Sequence, residues 1–451
     1  YKFLDETYEI VNQEENFKNE IKTLTINKET RSKTYSPKKI IKKKIIQIVS
    51  ITPLTKDICV KISHNRKKKR YLNKYYNKNI ILDNVVIFEA YMGRQYSCSP
   101  KALYEEMLED EKYNDFIKVW SFKNPEEHKD LLNNKNTYVI KYKSEDYYKA
   151  YSQAKYWVSN SRIPNEIKKH DDQVYIQCWH GTPLKRLGFD IKNYTGTKTS
   201  TKDLYRNYRV DAERYTHIIS PSKFFTEKIT SAFGLKSIGK ENIFIEKGYP
   251  RNDFLYTFTE QDCISIKEKL SIPKDKKIIL YAPTWRENQH QPGVGYTYNL
   301  GVDFDLLRKQ LEKDYVILFR AHYFISNLFD FDKYKEFIID VSKYDDINHL
   351  YVVSDMLITD YSSVFFDYAN LKRPILFYMY DFDEYKNKMR DFYLSVDELP
   401  GPIVKNKNYL VREIEKLSND FTYDKNYMKF NEKFNPYSKP CSKFILNKII
   451  K

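Results

Sequence analysis

Short apolar runs alternate with longer polar or amphipathic segments through most of this 451-residue chain, and this pattern constrains the fold more than any other feature. Pro100 opens a predicted helix over Lys101–Leu108, between the first and second of these runs. Strand-length runs separated by helix-length segments are typical of a parallel, doubly wound sheet. The apolar runs of this first series are Asn84–Phe88, Ile117–Trp120, Tyr138–Ile140, Tyr156–Ser159, Val174–Trp179 and His217–Ser220.

A second series of apolar runs begins after Gly248-Tyr249-Pro250. Its members are Lys277–Ala282, Tyr315–Phe319, Phe337–Val341, Met356–Thr359 and Pro374–Tyr378. Two consecutive α/β units predict a cleft between them, and open α/β sheets bind ligands at the carboxyl ends of their strands. We therefore predict a basic N-terminal appendage (1–80), two Rossmann-like domains (81–247 and 248–404), and C-terminal helices (405–451) that pack back on the first domain.

The chain is strongly basic, because 77 Lys and Arg residues against 61 Asp and Glu give a formal net charge of +16. This charge favours an anionic partner, and nucleic acid, an anionic membrane surface and a phosphate-rich substrate all satisfy it. Lysine runs concentrate in the first 80 residues, at Lys38–Lys44 and Arg66–Arg70. The stretch Ile40–Ile51 fits either an amphipathic segment on anionic lipid or a solvated basic linker.

The five cysteines are scattered without a CxxC pair, which argues against a zinc site or a disulfide framework and fits a reducing cytoplasm. No apolar stretch reaches the roughly 18 residues that span a bilayer. Because the chain begins at Tyr1 and not at Met, we expect further residues to precede it in the natural protein.

The segment Cys178–Lys185 follows an apolar run and places His180 on a Gly-Thr-Pro turn at the carboxyl end of a predicted strand. A histidine there can take a proton from a hydroxyl, because its unperturbed pKa lies near 6.5. A histidine that only hydrogen-bonds the turn is the structural alternative. The neighbouring Gly-Thr-Pro and the basic pair that starts at Lys185 favour the catalytic interpretation.

Two motifs of the second series offer arginines to phosphate. Arg286 follows a strand that ends in Pro-Thr, and Arg251 lies at the domain entry. Arg320 and His322 lie two residues apart in an extended segment and therefore point the same way. Such side chains make charge-assisted hydrogen bonds to phosphate, although surface arginines on a loop or a structural Arg–His pair have the same sequence pattern.

A fourth motif, Leu357–Asp367, passes from a buried strand through Ser362-Ser363 into a predicted helix. The amide groups of a helix's first turn and two hydroxyls predict an anion site, and an ordinary serine cap is the alternative. Asp367, one turn into the helix, is suited to accept hydrogen bonds from a ribose or polyol hydroxyl. Neither a GxGxxG nor a Walker loop occurs, nor a convincing DxD metal pair, so we expect a metal-independent reaction without a cofactor.

The stretches WHGTPLKRLG, SPSKFF, GYPRND, YAPTWR, FRAH, ITDYSSVFFDYANLKRP and LPGPI, in this order, resemble the CDP-glycerol glycerophosphotransferase family. This family contains teichoic acid polymerases and primases, ribitol-phosphate polymerases and related capsule polymerases, and the resemblance covers about residues 84 to 440. It implies a GT-B-type fold and a CDP-glycerol or CDP-ribitol donor. By resemblance, the donor contacts are His180, Gly181, Thr182, Pro183, Leu184, Arg251, Pro283, Thr284, Arg320, His322, Ser362, Ser363 and Asp367, with His180 as the catalytic base. Additional phosphate or acceptor contacts are predicted for Lys185, Arg286 and Asp360.

The predicted reaction is transfer of a polyol phosphate from the CDP-polyol to a hydroxyl of a membrane-linked teichoic acid or capsule oligomer, with release of CMP. The acceptor is then a lipid-linked polyanion, and the enzyme is peripheral at the cytoplasmic face of the bacterial membrane. Two alternatives are a GT-B glycosyltransferase that uses a nucleotide-sugar and a basic nucleic-acid-binding protein. No recognised nucleic-acid motif accompanies the charge, so we expect no nucleic acid partner. The choices between glycerol and ribitol, and between polymerase and single-unit primase, stay open.

Overall fold

The computed structural model describes residues 65–192, 200–284, 301–321, 331–382 and 391–450, together with 15, 17–18, 63, 385 and the backbone of 290–291 and 295–296. Two parallel sheets form the two halves of the molecule. The predicted α/β, GT-B-type fold with two Rossmann-like domains is therefore confirmed.

The first sheet has seven strands in the order β3-β2-β1-β4-β5-β6-β7, and each neighbouring pair is parallel. Its central strands are buried along nearly their whole length, because helices cover both faces of the sheet. The strands are β1 (Leu82–Glu89), β2 (Ile117–Phe122), β3 (Thr137–Lys141), β4 (Ala154–Ser159), β5 (Val174–Gln177), β6 (His217–Ser220) and β7 (Phe244–Glu246).

Within the described residues, four α-helices connect the strands of the first domain: α1 (Cys98–Glu109), α2 (Glu145–Gln153), α3 (Thr201–Ala212) and α4 (Lys223–Ala232). The side chains of Ser144, Ser200 and Ser222 each accept a backbone N–H at a helix N-terminus, which fixes where α2, α3 and α4 begin. These caps end the strand-to-helix loops at the edge of the sheet where the carboxyl ends of the strands lie.

The second sheet has six parallel strands in the order β12-β11-β8-β13-β14-β15. A separate antiparallel hairpin is formed by β9 and β10. The strands are β8 (Lys277–Ala282), β9 (His290–Gln291), β10 (Gly295–Tyr296), β11 (Tyr315–Phe319), β12 (Ile338–Asp340), β13 (Met356–Thr359), β14 (Ile375–Tyr378) and β15 (Ile403–Val404).

The α-helices described in the second half are α5 (Phe254–Thr257), α6 (Glu260–Lys269), α7 (Phe304–Leu311), α8 (Ile347–Val353), α9 (Val364–Tyr368), α10 (Lys407–Asp420), α11 (Lys425–Phe434) and α12 (Ser442–Ile449). Helix α10 packs on the second sheet, through Leu410 and Ile414. Helix α12 instead contributes Ile445 and Leu446 to the core of the first domain. The predicted domain boundary falls between β7 and the turn Pro250–Asn252.

The described part of the N-terminal appendage lies on the first domain. Residues 65–71 are helical and continue into a π-helical turn, Leu72–Tyr76. Tyr71 is buried, and the Tyr76 ring stacks on His170 with ring centroids 3.7 Å apart. Arg66–Arg70 are all exposed, so this basic helix is anchored by tyrosines and presents its charges to solvent. The predicted basic run Lys38–Lys44 lies outside the described residues.

The C-terminal helix is tied to the start of the second domain by one carboxylate. Asp253 accepts hydrogen bonds from the backbone N–H of Cys441 (2.9 Å) and from both the N–H (2.8 Å) and the hydroxyl (2.6 Å) of Ser442. These are N-terminal groups of α12, which would otherwise be buried without acceptors.

We expect Asp253→Ala to weaken the docking of α12 by about 1–3 kcal/mol, since it leaves buried donors without acceptors. Hydrogen exchange should show faster exchange of the α12 amides, whereas α10 should exchange as in the wild type. Asp253→Asn keeps one acceptor oxygen and should give a smaller effect. Equal exchange of α12 in all three proteins would contradict this role for the carboxylate.

Candidate functional site

A cavity of about 410 Å³ lies between the two domains, where the carboxyl ends of both sheets meet. The first domain contributes the loop that follows β5, and the second contributes the ends of β8, β11 and β13. Predicted site residues that line this cavity are His180, Gly181, Thr182, Pro183, Leu184, Lys185, Pro283, Thr284, Arg320, Ser362 and Ser363. Four separate sequence motifs thus converge on one cavity.

The two domains approach each other closely at Gly181. A Cβ atom at this position would lie 2.6 Å from the hydroxyl oxygen of Ser363, which is shorter than a van der Waals contact. Glycine therefore allows the loop after β5 to reach the serine pair that follows β13. As a result His180, next to Gly181, and Ser363 line the same cavity.

The imidazole of His180 is held in one tautomer. Its Nδ1 lies 2.7 Å from the backbone carbonyl oxygen of Asn160, which can only accept, so Nδ1 carries the proton and Nε2 has a free lone pair. The indole of Trp179 stacks on the ring, with centroids 4.4 Å apart. The ring is fixed from two sides and exposes its remaining edge to the cavity.

Two opposing effects set the pKa of His180. Desolvation by the cleft walls, together with the positive charges of Arg251 and Arg162, lowers this pKa to about 4, although the Asn160 carbonyl acts in the opposite direction. The imidazole is therefore neutral throughout the neutral pH range. A neutral imidazole with a free Nε2 is the form that accepts a proton.

Trp179, which supports His180, has an unusual backbone conformation. Its φ is +48°, a region that costs energy for a non-glycine residue. The side chain of Gln177 stabilises this turn, since its Oε1 accepts the Trp179 N–H at 2.8 Å. The Gln177 Nε2 in turn donates to the carbonyl of Ser161 and to the hydroxyl of Tyr175. A buried glutamine at the end of β5 therefore holds the turn that orients Trp179 and His180.

A second cavity, of about 620 Å³, adjoins the first. The two share His180, Arg320, Ala321, Ile347, Ser363 and Val364. The second cavity also contains Tyr91 and Gln95 from the first domain, and the loop from Ser342 to Asn348 from the second. His180 and Ser363 thus lie at the junction of the two cavities.

Arg251 and Asp367, both predicted donor contacts, face each other at this second cavity. The Arg251 Nη2 donates to both carboxylate oxygens of Asp367, at 3.0 and 2.8 Å, and Asn252 donates to one of them. Arg251 is 5% exposed and Asp367 is 7% exposed. Both side chains therefore have a structural partner, and direct contact with a donor stays a prediction for each.

The remaining predicted residues differ in their placement. Arg320 lines both cavities, and its Nη1 donates to the carbonyls of Val341 and Tyr344, which holds the guanidinium in position. Asp360 is buried and accepts the N–H of Thr284 at 2.8 Å, so it ties the ends of β8 and β13 together. Substrate contact by Asp360 stays a prediction. His322 and Arg286 lie outside the described residues.

Sequence reasoning missed several residues that build this site. Asn160 follows β4 and Gln177 ends β5, so both carry the pattern of polar side chains at the carboxyl ends of strands. That pattern predicts that both side chains lie at the edge of the sheet, but it does not predict their hydrogen-bond partners. The loop from Ser342 to Asn348 has no distinctive motif, and only the structure places it at a cavity.

Comparisons with known proteins agree with the motifs. The family model described as CDP-Glycerol:Poly(glycerophosphate) glycerophosphotransferase matches residues 72–451. The chain belongs to this family. It is a transferase, and the family resemblance predicted from the motifs is confirmed.

Two curated relatives are matched along most of their length. The teichoic acid poly(glycerol phosphate) polymerase of Bacillus spizizenii is 41% identical over 78% of this chain and 88% of the relative. The teichoic acid glycerol-phosphate transferase of Staphylococcus aureus is 40% identical, with the same coverage. In contrast, the match covers 46% of the poly(glycerol phosphate) polymerase of Bacillus subtilis, so the chain spans about half the length of that relative.

Solved structures of the wall teichoic acid polymerase TagF have the same fold. A histidine-to-asparagine variant of TagF soaked with CDPG is 38% identical and superimposes with a TM-score of 0.76 over 86% of this chain and 93% of that chain. A second TagF structure covers 92% of this chain at 36% identity, again with a TM-score of 0.76.

We expect Gln177→Met to lower kcat by roughly tenfold while the donor KM changes little, because the variant releases the strained turn that positions His180. Steady-state kinetics of the two constants check this. Gln173→Met is the matched control, since Gln173 is also buried and directly precedes the same strand, but its amide donates to the carbonyls of Tyr151 and Ala154. The two variants should lose similar thermal stability. A normal kcat in Gln177→Met would contradict a positioning role.

Proposed function

We propose that this enzyme transfers a polyol phosphate from a CDP-polyol to a terminal hydroxyl of a membrane-linked teichoic acid or capsule oligomer, with release of CMP. One observation carries the proposal: a neutral histidine with a free Nε2 lies at the junction of two cavities, opposite a serine pair and an arginine. This arrangement suits attack by a hydroxyl on a phosphorus atom. Family membership and the similarity to glycerol-phosphate and ribitol-phosphate polymerases support the same reaction.

In this proposal the donor spans both cavities. The nucleoside occupies the larger cavity, where Asp367 retains lone pairs for ribose hydroxyls beside its ion pair. The two phosphates lie at the junction, near Ser362, Ser363 and Arg320. The polyol then points into the smaller cavity, toward the loop that contains His180.

His180 acts as the general base. A hydroxyl is a weak nucleophile until its proton is removed, and the Nε2 of a fixed neutral imidazole can accept that proton as the new O–P bond forms. The bond between the transferred phosphorus and the bridging oxygen breaks, and CMP carries this oxygen away. Because a phosphate leaving group is already stable as an anion, it needs neighbouring positive charge more than it needs a proton.

The positive charge is supplied by the protein in our proposal, without a metal ion. Arg320 lies at the junction, and Lys185 lines the smaller cavity. His322 and Arg286 are proposed to add to it. Among the residues that the structure describes, no three His, Cys, Asp or Glu side chains converge as a metal site.

CDP-glycerol is the donor we propose to test first. The poly(glycerol phosphate) polymerases and the glycerol-phosphate transferase are 40–42% identical over 77–86% of the chain, and the glycerol-phosphate primase of Bacillus subtilis is 33% identical over 61% of it. The ribitol-phosphate polymerases are 32–36% identical over 55–57% of it. CDP-ribitol and nucleotide-sugars are the necessary comparisons, since the same fold accepts different donors.

We expect CMP release with CDP-glycerol and a polyol-phosphate acceptor, and a fall of about 10²-fold in kcat in His180→Ala with a smaller change in donor KM. The acid limb of the kcat/KM profile should lie well below pH 6.5, because the pKa of His180 is lowered. The acid limb of the kcat profile should lie at higher pH than that of kcat/KM, because phosphate bound beside His180 favours its imidazolium form and so raises the pKa of His180. Activity should persist in EDTA.

Three results would contradict parts of this proposal. Release of UMP or UDP from a nucleotide-sugar, with no reaction of either CDP-polyol, would replace the reaction. A near-normal kcat in His180→Ala would exclude His180 as the base. Loss of activity in EDTA that added Mg²⁺ or Mn²⁺ restores would exclude a metal-independent mechanism.

We further propose that the enzyme is peripheral on the cytoplasmic face of the membrane, where a lipid-linked acceptor is anchored. The basic helix at residues 65–71 exposes Arg66–Arg70 together and is anchored to the first domain through Tyr71. Each Lys or Arg near an anionic leaflet contributes on the order of 1 kcal/mol. In the described ranges no helix is both long and apolar enough to cross a bilayer.

Replacing Lys67, Lys68 and Lys69 together with Gln should weaken binding to anionic vesicles on the order of 100-fold at low salt. Co-sedimentation with vesicles of phosphatidylglycerol measures it. The control is a triple Gln variant of three exposed lysines from separate loops, Lys236, Lys274 and Lys313, with the same change in net charge. Equal binding of both variants, or binding that ignores salt, would contradict a role for this helix.

A further inference from the structure

Three cations from different parts of the chain surround two aromatic rings beside the smaller cavity. The guanidinium of Arg186 lies 5.3 Å from the ring centroid of Tyr393, and the Lys228 Nζ lies 5.7 Å from the same centroid. Lys228 and Lys433 lie 5.5 and 5.6 Å from the centroid of Phe224. We call Arg186, Lys228 and Lys433, with the rings of Tyr393 and Phe224, the basic strip.

The basic strip begins at the wall of the smaller cavity. The Tyr393 N–H donates to the carbonyl of Leu184 at 2.8 Å, and the N–H of Leu187 donates to the Tyr393 hydroxyl at 3.3 Å. Leu184 and Leu187 both line that cavity, as does Lys185 between them. A chain that leaves the cavity on this side would therefore pass directly over the strip.

Its cations are only partly neutralised. Arg186 pairs with Asp391 at 2.8 Å, where the carboxylate is 68% exposed, and Lys433 pairs with Glu398. Lys228 forms no ion pair with any carboxylate in the described part of the chain, and it is half-buried against the two rings. A lysine whose methylenes pack on aromatic faces keeps its ammonium in place and available to an external anion.

We propose that the basic strip binds successive phosphates of the polyol-phosphate chain of the acceptor, behind the terminal unit that reacts. This inference rests on the proposed function and adds the path of the acceptor to it. Cations at intervals suit a polyanion with regularly spaced phosphates, and the partly exposed ring of Tyr393 suits the carbon backbone between them. A longer acceptor would then bind more tightly than a short one, with no change in the chemical step.

The strip fits a chain better than it fits the flat surface of a lipid bilayer. Its cations come from the loop after β5, from α4 and from α11, so they span both domains. Lys228 is also half-buried and packs on the rings of Tyr393 and Phe224, whereas Arg66–Arg70 of the basic helix are exposed to solvent. The flat surface of a bilayer contacts charges that project from the protein before it contacts recessed ones. A flexible polyanionic chain can also bind the recessed charges.

The test is a double variant, Lys228→Gln with Lys433→Gln. Its matched control is Lys223→Gln with Lys429→Gln, because Lys223 lies on α4 and Lys429 on α11, both are exposed, and the net charge changes equally. The probes are a fluorescent glycerol-phosphate oligomer of many units and a single-unit acceptor. We expect the strip variant to bind the long oligomer roughly tenfold more weakly, with a shallower salt dependence, and to bind the single unit as the wild type does. The control pair should bind both probes normally.

The transfer assay gives a second readout. The KM for long acceptors should rise roughly tenfold in the strip variant, while kcat and the donor KM stay unchanged. If the wild type releases CMP from no CDP-polyol, the proposed function fails, but the oligomer-binding assay still tests the strip. Conversely, normal CMP release with equal oligomer binding in all variants would overturn only the strip.

Other outcomes are also decisive. Equal weakening in the strip and control variants would mean that net charge alone acts, and would overturn the proposal. Loss of binding to anionic vesicles without loss of oligomer binding would assign the strip to the membrane instead. If the double variant melts at a lower temperature, Lys228→Arg and Lys228→Gln replace it: weaker binding in the Gln variant alone supports the strip, and equal binding in both overturns it.

Discussion

The buried guanidinium of Arg251 connects the parts of the molecule that form the site. It donates hydrogen bonds to the Asp367 carboxylate on α9 and lies 3.6 Å from the sulfur of Cys98 at the start of α1. The backbone carbonyl of Arg251 accepts a hydrogen bond from the side chain of Asn348 on α8. A charge removed from water is tolerated only when it is paired and hydrogen-bonded. Without either partner the other would be left charged in the interior, at a cost of about 3–5 kcal/mol. Arg251 and Asp367 both lie in the second domain, and the contacts of Arg251 with Cys98 and with the hydroxyl of Ser99 join this buried pair to the first domain.

The same ion pair affects the chemistry of the cleft. The positive charge of Arg251 is one of the reasons why the pKa of His180 is lowered, so the geometry that joins the domains also keeps the imidazole neutral. Gly181 and Ser363 approach one another only when the domains are held in this arrangement. The protonation state of the histidine in the His-Gly-Thr-Pro motif therefore depends in part on a distant arginine, which Asp367 holds in place.

Much of the fold could be predicted because a buried parallel strand is a continuous apolar run. His217–Ser220, Lys277–Ala282, Tyr315–Phe319 and Met356–Thr359 are strands with the predicted bounds. The short edge strands β7 and β15 were not predicted, since three or two residues carry too little pattern to be distinguished from a loop. The run Val174–Trp179 was predicted two residues too long: its strand ends at Gln177, because the positive φ of Trp179 turns the backbone out of the sheet.

The candidate site was predictable to the extent that it follows from topology. Parallel strands place their carboxyl ends at one edge of a sheet, so the motifs that follow β8, β11 and β13 had to lie near one another, and a cleft between two such sheets predicted that the motif after β5 would face them. Pairings between distant side chains do not follow from topology. The sequence indicated Arg251 and Asp367 as separate ligands of a donor, whereas the structure joins them, and no local pattern reports a partner more than a hundred residues away.

In the functions proposed here, the basic residues behind the net charge of +16 have two roles. Exposed charges such as Arg66–Arg70 interact over a distance limited to about 8 Å at physiological salt, so they favour reversible contact with a strongly anionic surface. Cations packed on rings, such as Lys228, or held by backbone carbonyls, such as Arg320, are less screened because less water surrounds them. Such cations can discriminate the position of individual phosphates. The basic residues therefore fall into two groups. Those on the surface attract a polyanion, and those in and beside the cleft fix the positions of its phosphates.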